Sequence, residues 1–355
     1  MIMEKTLGRN SGIDVLKTFC ILFVVILHTE LLAPVFGVNL ESLCRFATPV
    51  FFIITGYFYS STVKRGKAVS HIKRVIILIL VANAVFIAIN AVYCVCANES
   101  LAEWLASMFT KKKLFDFVFF NSSFVTGHFA SFHLWYLYAL LYVLIIANVL
   151  RKFGLFKVLY FLTPVLLIGG LVAECFSTQI FGVNFSNSQG YCYYRNFLTV
   201  GIPYFCIGSI LNRYAAKIRI KSIVLLLAFV FLQALSVLEM IIAKKVSHAS
   251  SIDFFISTPL CAACAFLLFS NLFESRGVNK FCAALSEVGR NDVVWIYIYH
   301  LPIMVLVRDC LPQTGSSFAD KALVTVLTLA LSLTAAAAID KTKRFVKSKR
   351  LKKQK

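Results

Sequence analysis

Charge is scarce in this sequence, and negative charge is scarcer still. Only 15% of the 355 residues are charged, and 16 acidic residues stand against 36 basic ones, which gives a formal net charge of +20. A soluble domain usually has about a quarter of its residues charged. Because 59% of the chain is also hydrophobic, this shortage excludes an ordinary soluble globular protein.

Long apolar runs take the place of the missing charge. Runs of roughly 17 to 25 residues are long enough to cross the hydrocarbon core of a bilayer as helices. The sequence therefore predicts an all-α, polytopic membrane helix bundle, and the first run holds too many polar groups to be a cleaved signal peptide. The ten predicted spans are residues 12–33, 44–61, 74–96, 133–150, 155–175, 196–212, 220–243, 253–273, 283–307 and 321–339.

The positive charge is distributed unevenly between alternate loops. With the N-terminus placed inside, the inner loops and the C-terminal tail hold 25 basic residues and the outer loops hold 7. The positive-inside rule then predicts that both termini are cytoplasmic, which requires an even number of spans. Residues 1–340 are predicted to form a single transmembrane domain. The basic tail, residues 341–355, is expected to lie against anionic lipid head groups rather than nucleic acid.

The sequence contains no soluble module, and its exposed stretches are short. The longest, about residues 97–132, is predicted to hold an interfacial helix on the outer leaflet, because its apolar residues recur near helical spacing. A second outer loop, residues 177–194, is rich in polar residues and is a candidate entrance for a polar substrate. The eleven cysteines lie mostly inside apolar runs and are interpreted as small buried hydrophobes. No metal site is expected.

The first predicted span carries three polar residues that need an explanation. Lys17 and His28 are eleven residues apart, so a helix places them on nearly the same face and about 16 Å apart. Asp14 precedes Lys17 at a spacing that favours an ion pair, and His28 can act as a general base near neutral pH. In a purely structural interpretation, Lys17 and His28 extend to opposite membrane surfaces. Three such residues on one face favour a functional role.

Polar residues in other spans sort into two groups by predicted depth. Each one alone is an ordinary interface anchor, but an inner basic group suits an anionic cytoplasmic ligand, and an outer histidine group suits proton transfer. The inner group is Lys17, Arg74, Arg290 and Asn291. The outer group is His28, Arg45, His133, Arg195 and His300, with Trp135 close behind His133.

Four ordered motifs resemble the membrane-bound acyltransferase 3 family. Asp14, Lys17 and His28 match its first-helix pattern, and "RFATPVFFIITG" is similar to its Arg, Pro-Phe-Phe and Ser-Gly pattern, with Thr55 in place of the serine. "HLWYLYALL" and "GRNDVVWIYIYHLP" resemble two further segments, with Asp292 where the family has a serine. The Arg-x-x-Arg pattern common in the family is incomplete, since Arg74 has His71 upstream.

The resemblance implies an enzyme that moves an acyl group, most often acetyl, from cytoplasmic acyl-CoA to a sugar hydroxyl. The acceptor is expected to be an extracytoplasmic or lipid-linked glycan, and the setting a bacterial inner membrane. The donor is expected to bind at the inner group, and His28 is either a general base or an acyl carrier. The expected acceptor-binding residues are Arg45, His133, Trp135, Arg195 and His300, with Arg45 or Arg195 also a candidate for oxyanion stabilisation.

Two other functions are compatible with the same residues. A proton-coupled transporter of a polar or anionic solute or glycan could use His28 and His300 as relays, although the chain shows no internal repeat and no paired discontinuous helices. An inactive membrane scaffold is the third possibility. Because no esterase-like module with a Gly-Asp-Ser nucleophile is present, an enzyme of this kind is expected to act alone, as a homo-oligomer or with a separate partner transferase.

Overall fold

The computed structural model describes residues 10–33, 39–185, 190–214, 217, 220–247, 252–272, 279–311 and 317–353. Within these ranges the chain forms helices and no strands, which confirms the predicted all-α class. Short 3-10 turns, Glu41–Cys44 and Phe132–Leu134, precede two of the helices, and a π turn, Phe197–Gly201, precedes a third. The α-helices are α1 Ser11–His28, α2 Ala47–Lys64, α3 Ala68–Cys96, α4 Leu101–Met108, α5 Lys111–Phe120, α6 Trp135–Lys152, α7 Val158–Cys175, α8 Ser177–Phe181, α9 Tyr191–Tyr194, α10 Ile202–Tyr214, α11 Ser222–Ser247, α12 Thr258–Leu272, α13 Lys280–Asn291, α14 Val293–Cys310 and α15 Phe318–Lys353.

Eight of the described helical segments are long and apolar enough to cross a membrane. They coincide with eight of the ten predicted spans, and the chain is a multi-pass membrane protein. The eight segments are Ser11–His28, Glu41–Lys64, Ala68–Cys96, Phe132–Lys152, Val158–Cys175, Ser222–Lys245, Val293–Cys310 and Phe318–Phe345.

The remaining two predicted spans correspond to shorter helices. The span predicted at 196–212 is the π turn Phe197–Gly201 followed by α10, which has 13 residues, and the span predicted at 253–273 is α12, with 15 residues. The predicted span 283–307 is wrong as a single helix, because the chain breaks at Asp292 between α13 and α14. α1 ends at His28 rather than near residue 33, since Glu30 adopts a left-handed φ of 57°.

The outer segments predicted from composition are also helical in part. The stretch 97–132 contains two short helices, α4 and α5, rather than one, and Asn121 ends the second in a left-handed conformation. The stretch 177–194 contains α8 and α9, and residues 186–189 lie outside the described residues. Their placement on the outer leaflet stays a prediction.

The chain divides into two compact units. Unit 1 comprises Met1–Ala47, Ile220–Phe229 and Cys264–Lys355, and unit 2 comprises Thr48–Arg219 and Val230–Ala263. The single transmembrane domain 1–340 stays a prediction, and α15 continues as one helix through the predicted start of the tail at residue 341.

In unit 1, α1 packs closely on α13, and glycine makes this possible. A Cβ built on Gly289 would lie 1.8 Å from the backbone carbonyl oxygen of Asp14. Thr18 also donates a hydrogen bond of 2.7 Å to the carbonyl of Leu285. Since close backbone approach between membrane helices relies on small residues, this contact fixes the first turns of α1 against the last turns of α13.

The C-terminal end of α1 is held by α14 and α15, also in unit 1. The buried Thr29 hydroxyl lies 2.7 Å from the hydroxyl of Thr325, and Arg308 donates to the carbonyl of Thr29 at 3.4 Å. Lys321 donates to the carbonyl of Ala33 at 2.9 Å. These bonds satisfy carbonyls that the helix end leaves unpaired, and they fix the backbone next to His28.

In unit 2, glycine again allows helices to approach. A Cβ on Gly56 of α2 would lie 1.9 Å from the carbonyl oxygen of Phe205 in α10. A Cβ on Gly208 of α10 would lie 2.0 Å from the carbonyl oxygen of Ile53 in α2. The buried Asn90 side chain exchanges two hydrogen bonds of 3.0 Å with the backbone of Phe129. This exchange orders the segment that leads into α6.

Candidate active site

The predicted ion pair in the first helix is formed. The Nζ of Lys17 lies 3.0 Å from Oδ1 of Asp14, and the Asp14 side chain is only 8% exposed while that of Lys17 is 28% exposed. The partial exposure leaves the Lys17 ammonium able to contact a further anion. The ion pair therefore fixes the position of the Lys17 ammonium near the N-terminal end of α1 and leaves it accessible to a ligand.

His28 meets a second histidine from a different helix. Its ring centroid lies 5.2 Å from that of His300 in α14, with the ring planes inclined by 37°. His28 is half-buried and His300 is fully buried. The structure thus brings together the two histidines that the sequence placed in the outer group, both within unit 1.

The hydrogen bonds of His300 define its tautomer. Its Nδ1 lies 2.8 Å from the carbonyl oxygen of Tyr297 and 3.1 Å from that of Ile296. Because both neighbours can only accept, Nδ1 carries the proton, and Nε2 is the basic nitrogen of the ring. An imidazole fixed in this way is a suitable neighbour for a proton-transfer step at His28.

Two predicted donor-binding residues lie at the end of α13 that touches α1. Arg290 and Asn291 follow Gly289, which contacts the backbone of Asp14. The Nε of Arg290 donates to Oδ1 of Asn291 at 3.2 Å, and its Nη2 lies 3.7 Å from Glu287. Arg290 is exposed, so this end of unit 1 presents cationic groups from both α1 and α13.

Arg45 also belongs to unit 1. It directly follows the 3-10 turn Glu41–Cys44 and is half-buried. The next residue, Phe46, packs against Phe19 and Phe23 of α1, with ring centroids 6.4 and 5.4 Å away. The chain around Arg45 is therefore fixed to the helix that carries His28.

The remaining predicted site residues lie in unit 2. His133 is 2% exposed and packs beside the ring of Phe86 at 5.5 Å, while Arg74 is exposed on α3. Arg195 lies over two aromatic rings, 4.6 Å from the centroid of Tyr191 and 5.5 Å from that of Trp135. The structure thus associates Arg195 with Trp135, and the roles of all these residues stay predictions.

Sequence reasoning missed the acidic partners of Arg195. Its Nη1 lies 2.9 Å from Oδ2 of Asp253, and the backbone N–H groups of Asp253 and Phe254 donate to the buried carboxylate of Glu174 at 2.7 and 2.8 Å. Burial lowers the pKa of the Arg195 guanidinium, but the attractions of Asp253 and of its other acidic neighbours together outweigh burial, and the net shift is upward. The sequence feature that could have indicated these partners is Glu174, a single glutamate inside the apolar run of α7.

A second polar cluster in unit 2 was also missed. Lys112 lies 2.6 Å from the buried Asp116, and the Tyr193 hydroxyl donates to the same carboxylate at 3.1 Å. The hydrogen bond to Asp116 raises the pKa of Lys112, and burial raises the pKa of Tyr193. These contacts connect α5 to α9 and serve packing, since no predicted site residue takes part in them.

All eleven cysteines lie among the described residues and are free thiols. Cys261 and Cys264 form a Cys-x-x-Cys spacing on α12 that the sequence reasoning overlooked. Among the described residues no group of three or more metal-ligating side chains converges.

The fold and the histidine pair define a multi-pass membrane protein with ionisable side chains inside its helices. A sequence profile of the family described as "Acyltransferase domain" matches residues 10–340, nearly the whole chain. The chain therefore belongs to this acyltransferase family, which confirms the resemblance seen in the four motifs.

A curated relative adds a more distant similarity. A protein of Enterococcus faecalis named "Amino-acid racemase" is 24% identical over 341 residues, which are 91% of this chain and 45% of that protein. The chain thus spans less than half of the relative's length, and the racemase name describes that longer protein. No solved structure matches the chain.

Proposed function

We propose that this acyltransferase moves an acyl group, with acetyl as the first candidate, from cytoplasmic acyl-CoA to a sugar hydroxyl of an extracytoplasmic or lipid-linked glycan in a bacterial inner membrane. The observation that carries the proposal is the His28–His300 pair, whose ring centroids lie 5.2 Å apart, because His28 shares α1 with the Asp14–Lys17 ion pair. Membership of the acyltransferase family supports the reaction class.

The donor is proposed to bind along α1. The partly exposed Lys17 and the exposed Arg290 are cations at one end of unit 1, where they would pair with the phosphates of acyl-CoA. His28 lies eleven residues further along the helix, about 16 Å away. The extended pantetheine arm of the donor spans this distance and carries the thioester to the histidine pair.

His28 is proposed to act as the general base. Its ring nitrogen takes the proton of the sugar hydroxyl while the hydroxyl oxygen forms a bond to the thioester carbonyl carbon. The tetrahedral intermediate collapses as the carbon–sulfur bond breaks, and the thiolate of CoA takes the proton back from His28. The hydrogen-bonded ring of His300 keeps the His28 ring in position, and Arg45 is assigned to the oxyanion.

The acceptor-binding proposal rests on unit 2 and is separate from the chemistry above. Arg195 is held by Asp253 and lies over Trp135, and aromatic faces flanked by charged groups suit sugar rings. His133 and Arg74 keep their predicted roles in acceptor and donor binding. We also propose that the basic tail contacts anionic lipid and that the chain works as a homo-oligomer or with a separate transferase.

A thiol-release assay on the purified chain in nanodiscs tests the proposed function. Acetyl-CoA and then succinyl-CoA are supplied with a glycan acceptor, and free CoA is measured together with acylated product. We expect equal amounts of both, and we expect Lys17→Gln to raise the KM for acyl-CoA about tenfold. Lys280→Gln, which removes an exposed lysine at the start of α13, is the matched control.

A proteoliposome uptake assay tests the alternative function, that of a transporter. A transporter would accumulate a polar or anionic solute in response to a proton gradient and release no CoA. Uptake without thiol release overturns the proposed function and leaves His28 and His300 as groups on a transport path.

A further inference from the structure

A groove on unit 1 is not used in the steps described above, although the predicted donor-binding residue Asn291 lines it. It lies between α13, the first residue before α14 and the C-terminal half of α15, and its volume is about 440 Å³. This volume falls within the range of small-molecule sites. Val288, Leu333 and Ala337 give it apolar walls, and a set of charged residues surrounds them.

The charged residue at the floor of the groove is Asp292. It is 8% exposed, and its Oδ1 is buried without a hydrogen-bond partner in the described part of the chain. Asp292 precedes α14 but its side chain does not cap that helix. A buried polar atom without a partner costs folding free energy, so its retention points to a partner outside the chain.

The other carboxylates of the groove are already paired. The guanidinium of Arg344 lies 2.6 Å from Asp340 and 3.7 Å from Glu287, and Arg290 lies 3.7 Å from Glu287. Lys341 also lines the groove. The two acidic and two basic residues of the rim therefore balance in charge, and the floor offers a carboxyl oxygen that accepts a hydrogen bond.

We propose that the groove binds the adenine ring of the acyl-CoA donor, with the Asp292 carboxyl accepting a hydrogen bond from the 6-amino group. This inference rests on the proposed function, since it places the nucleotide of the donor at α13, the helix whose Gly289 lies against Asp14 of α1. The apolar walls suit a flat heterocycle, and Lys341 and Arg344 at the rim suit its phosphates.

The electrostatics of the floor are consistent with this occupant. Burial raises the pKa of Asp292, the carboxylates of Asp340 and Glu287 raise it further, and Arg344 opposes them in part. When it holds a proton, a carboxylic acid donates to a ring nitrogen while its carbonyl oxygen accepts from the adjacent amino group. A neutral heterocycle with an amino edge thus fits the floor better than a second anion does.

Binding of nucleotide fragments to the full chain in nanodiscs tests the inference. The probes are adenosine 3′,5′-bisphosphate and the analogue with hydrogen in place of the 6-amino group. We expect the wild type to bind the adenosine compound about tenfold more tightly, because the analogue leaves the carboxyl without its donor. Asp292→Asn, whose amide oxygen also accepts, keeps this preference, and Asp292→Leu loses it.

Control variants distinguish a failure of the adenine assignment from a failure of the proposed function. Asp309→Asn removes an exposed carboxylate near the other end of α14 and is expected to bind like the wild type, and thermal unfolding verifies that each variant is folded. The adenine assignment is overturned, and the proposed function stands, if the wild type turns over acyl-CoA but binds the two probes equally. The same conclusion follows if Asp292→Leu still prefers the adenosine compound. If the wild type neither binds acyl-CoA nor releases thiol, both are overturned.

Discussion

His28 and His300 give α1 and α14 a contact that apolar packing alone does not require. Helical spacing placed Asp14, Lys17 and His28 on one face of α1, and the Asp14–Lys17 ion pair is formed. The same reasoning could not pair His28 with His300, because their 5.2 Å ring contact joins segments far apart in the chain. Local periodicity identifies the face of a helix, and tertiary packing decides what that face meets.

At the residue scale, His300→Phe tests whether His300 positions His28. Phenylalanine keeps an aromatic ring beside His28 but loses the nitrogen that bonds to the carbonyls of Ile296 and Tyr297. We expect kcat to fall about tenfold to a hundredfold with the KM for acyl-CoA nearly unchanged, and the pH–rate profile to shift. Steady-state kinetics from pH 5 to 9 measure both, and an unchanged profile would contradict the assignment.

Asp292 gives a prediction about stability and pH. Burial raises its pKa above the ordinary value of 3.8, and Asp340 and Glu287 add to this shift. The folded state therefore holds the proton more tightly than the unfolded state, so ionisation costs stability as pH rises from about 4 through the raised pKa. We expect Asp292→Asn to raise Tm at pH 8 and to leave it unchanged near pH 4.

Thermal unfolding of both chains across this pH range is the measurement. Asp309→Asn, an exposed carboxylate on α14, controls for the loss of a charge as such. A Tm difference for Asp292→Asn that is equal at pH 4 and pH 8 would show that the Asp292 carboxyl is not perturbed in the folded protein.

At the scale of helices, hydrophobic runs predicted the long spans well and the breaks poorly. The run through residues 283–307 is divided at Asp292, since α13 carries exposed Glu287 and Arg290 and is not apolar enough to continue the span. The spans near 196–212 and 253–273 became the shorter helices α10 and α12. Composition over a window cannot locate these ends, because single residues and their contacts fix them.

The α1–α13 contact depends on the absence of a side chain at Gly289. A Cβ there would lie 1.8 Å from the carbonyl oxygen of Asp14, a backbone atom that cannot move independently. We expect Gly289→Ala to lower the free energy of unfolding by about 1–3 kcal/mol or more. Gly169→Ala is the matched control, because a Cβ at Gly169 in α7 meets nothing within 4 Å. Equal Tm values for the two variants would contradict this account of the packing.

At the scale of the whole molecule, the sequence was sufficient for the class and the family. Apolar runs defined a polytopic membrane protein, and four motifs in the right order identified the acyltransferase family that the profile match confirms. The division of the predicted site residues between two compact units was not predictable. Segments as distant in sequence as residues 1–47 and 264–355 share unit 1, and only long-range packing brings them together.

The predicted orientation of the molecule can be tested with its own cysteines. Cys96 and Cys310 are exposed and lie at or just beyond the outer ends of the predicted spans 74–96 and 283–307, whereas the half-buried Cys282 falls on the cytoplasmic side. We expect a membrane-impermeant maleimide to label chains retaining only Cys96 or only Cys310 in intact cells. A chain with only Cys282 should react after permeabilisation alone, and labelling of Cys282 in intact cells would reverse the topology.

The central claim is that acyl transfer occurs at the His28–His300 pair. Turnover and binding of acetyl-CoA are measured in parallel for the wild type, His28→Ala and the control His128→Ala, which removes an exposed histidine of unit 2. The account predicts that His28→Ala binds CoA like the wild type and releases it about 100-fold to 10,000-fold more slowly, with His128→Ala unaffected. Wild-type rates of CoA release by His28→Ala would contradict it.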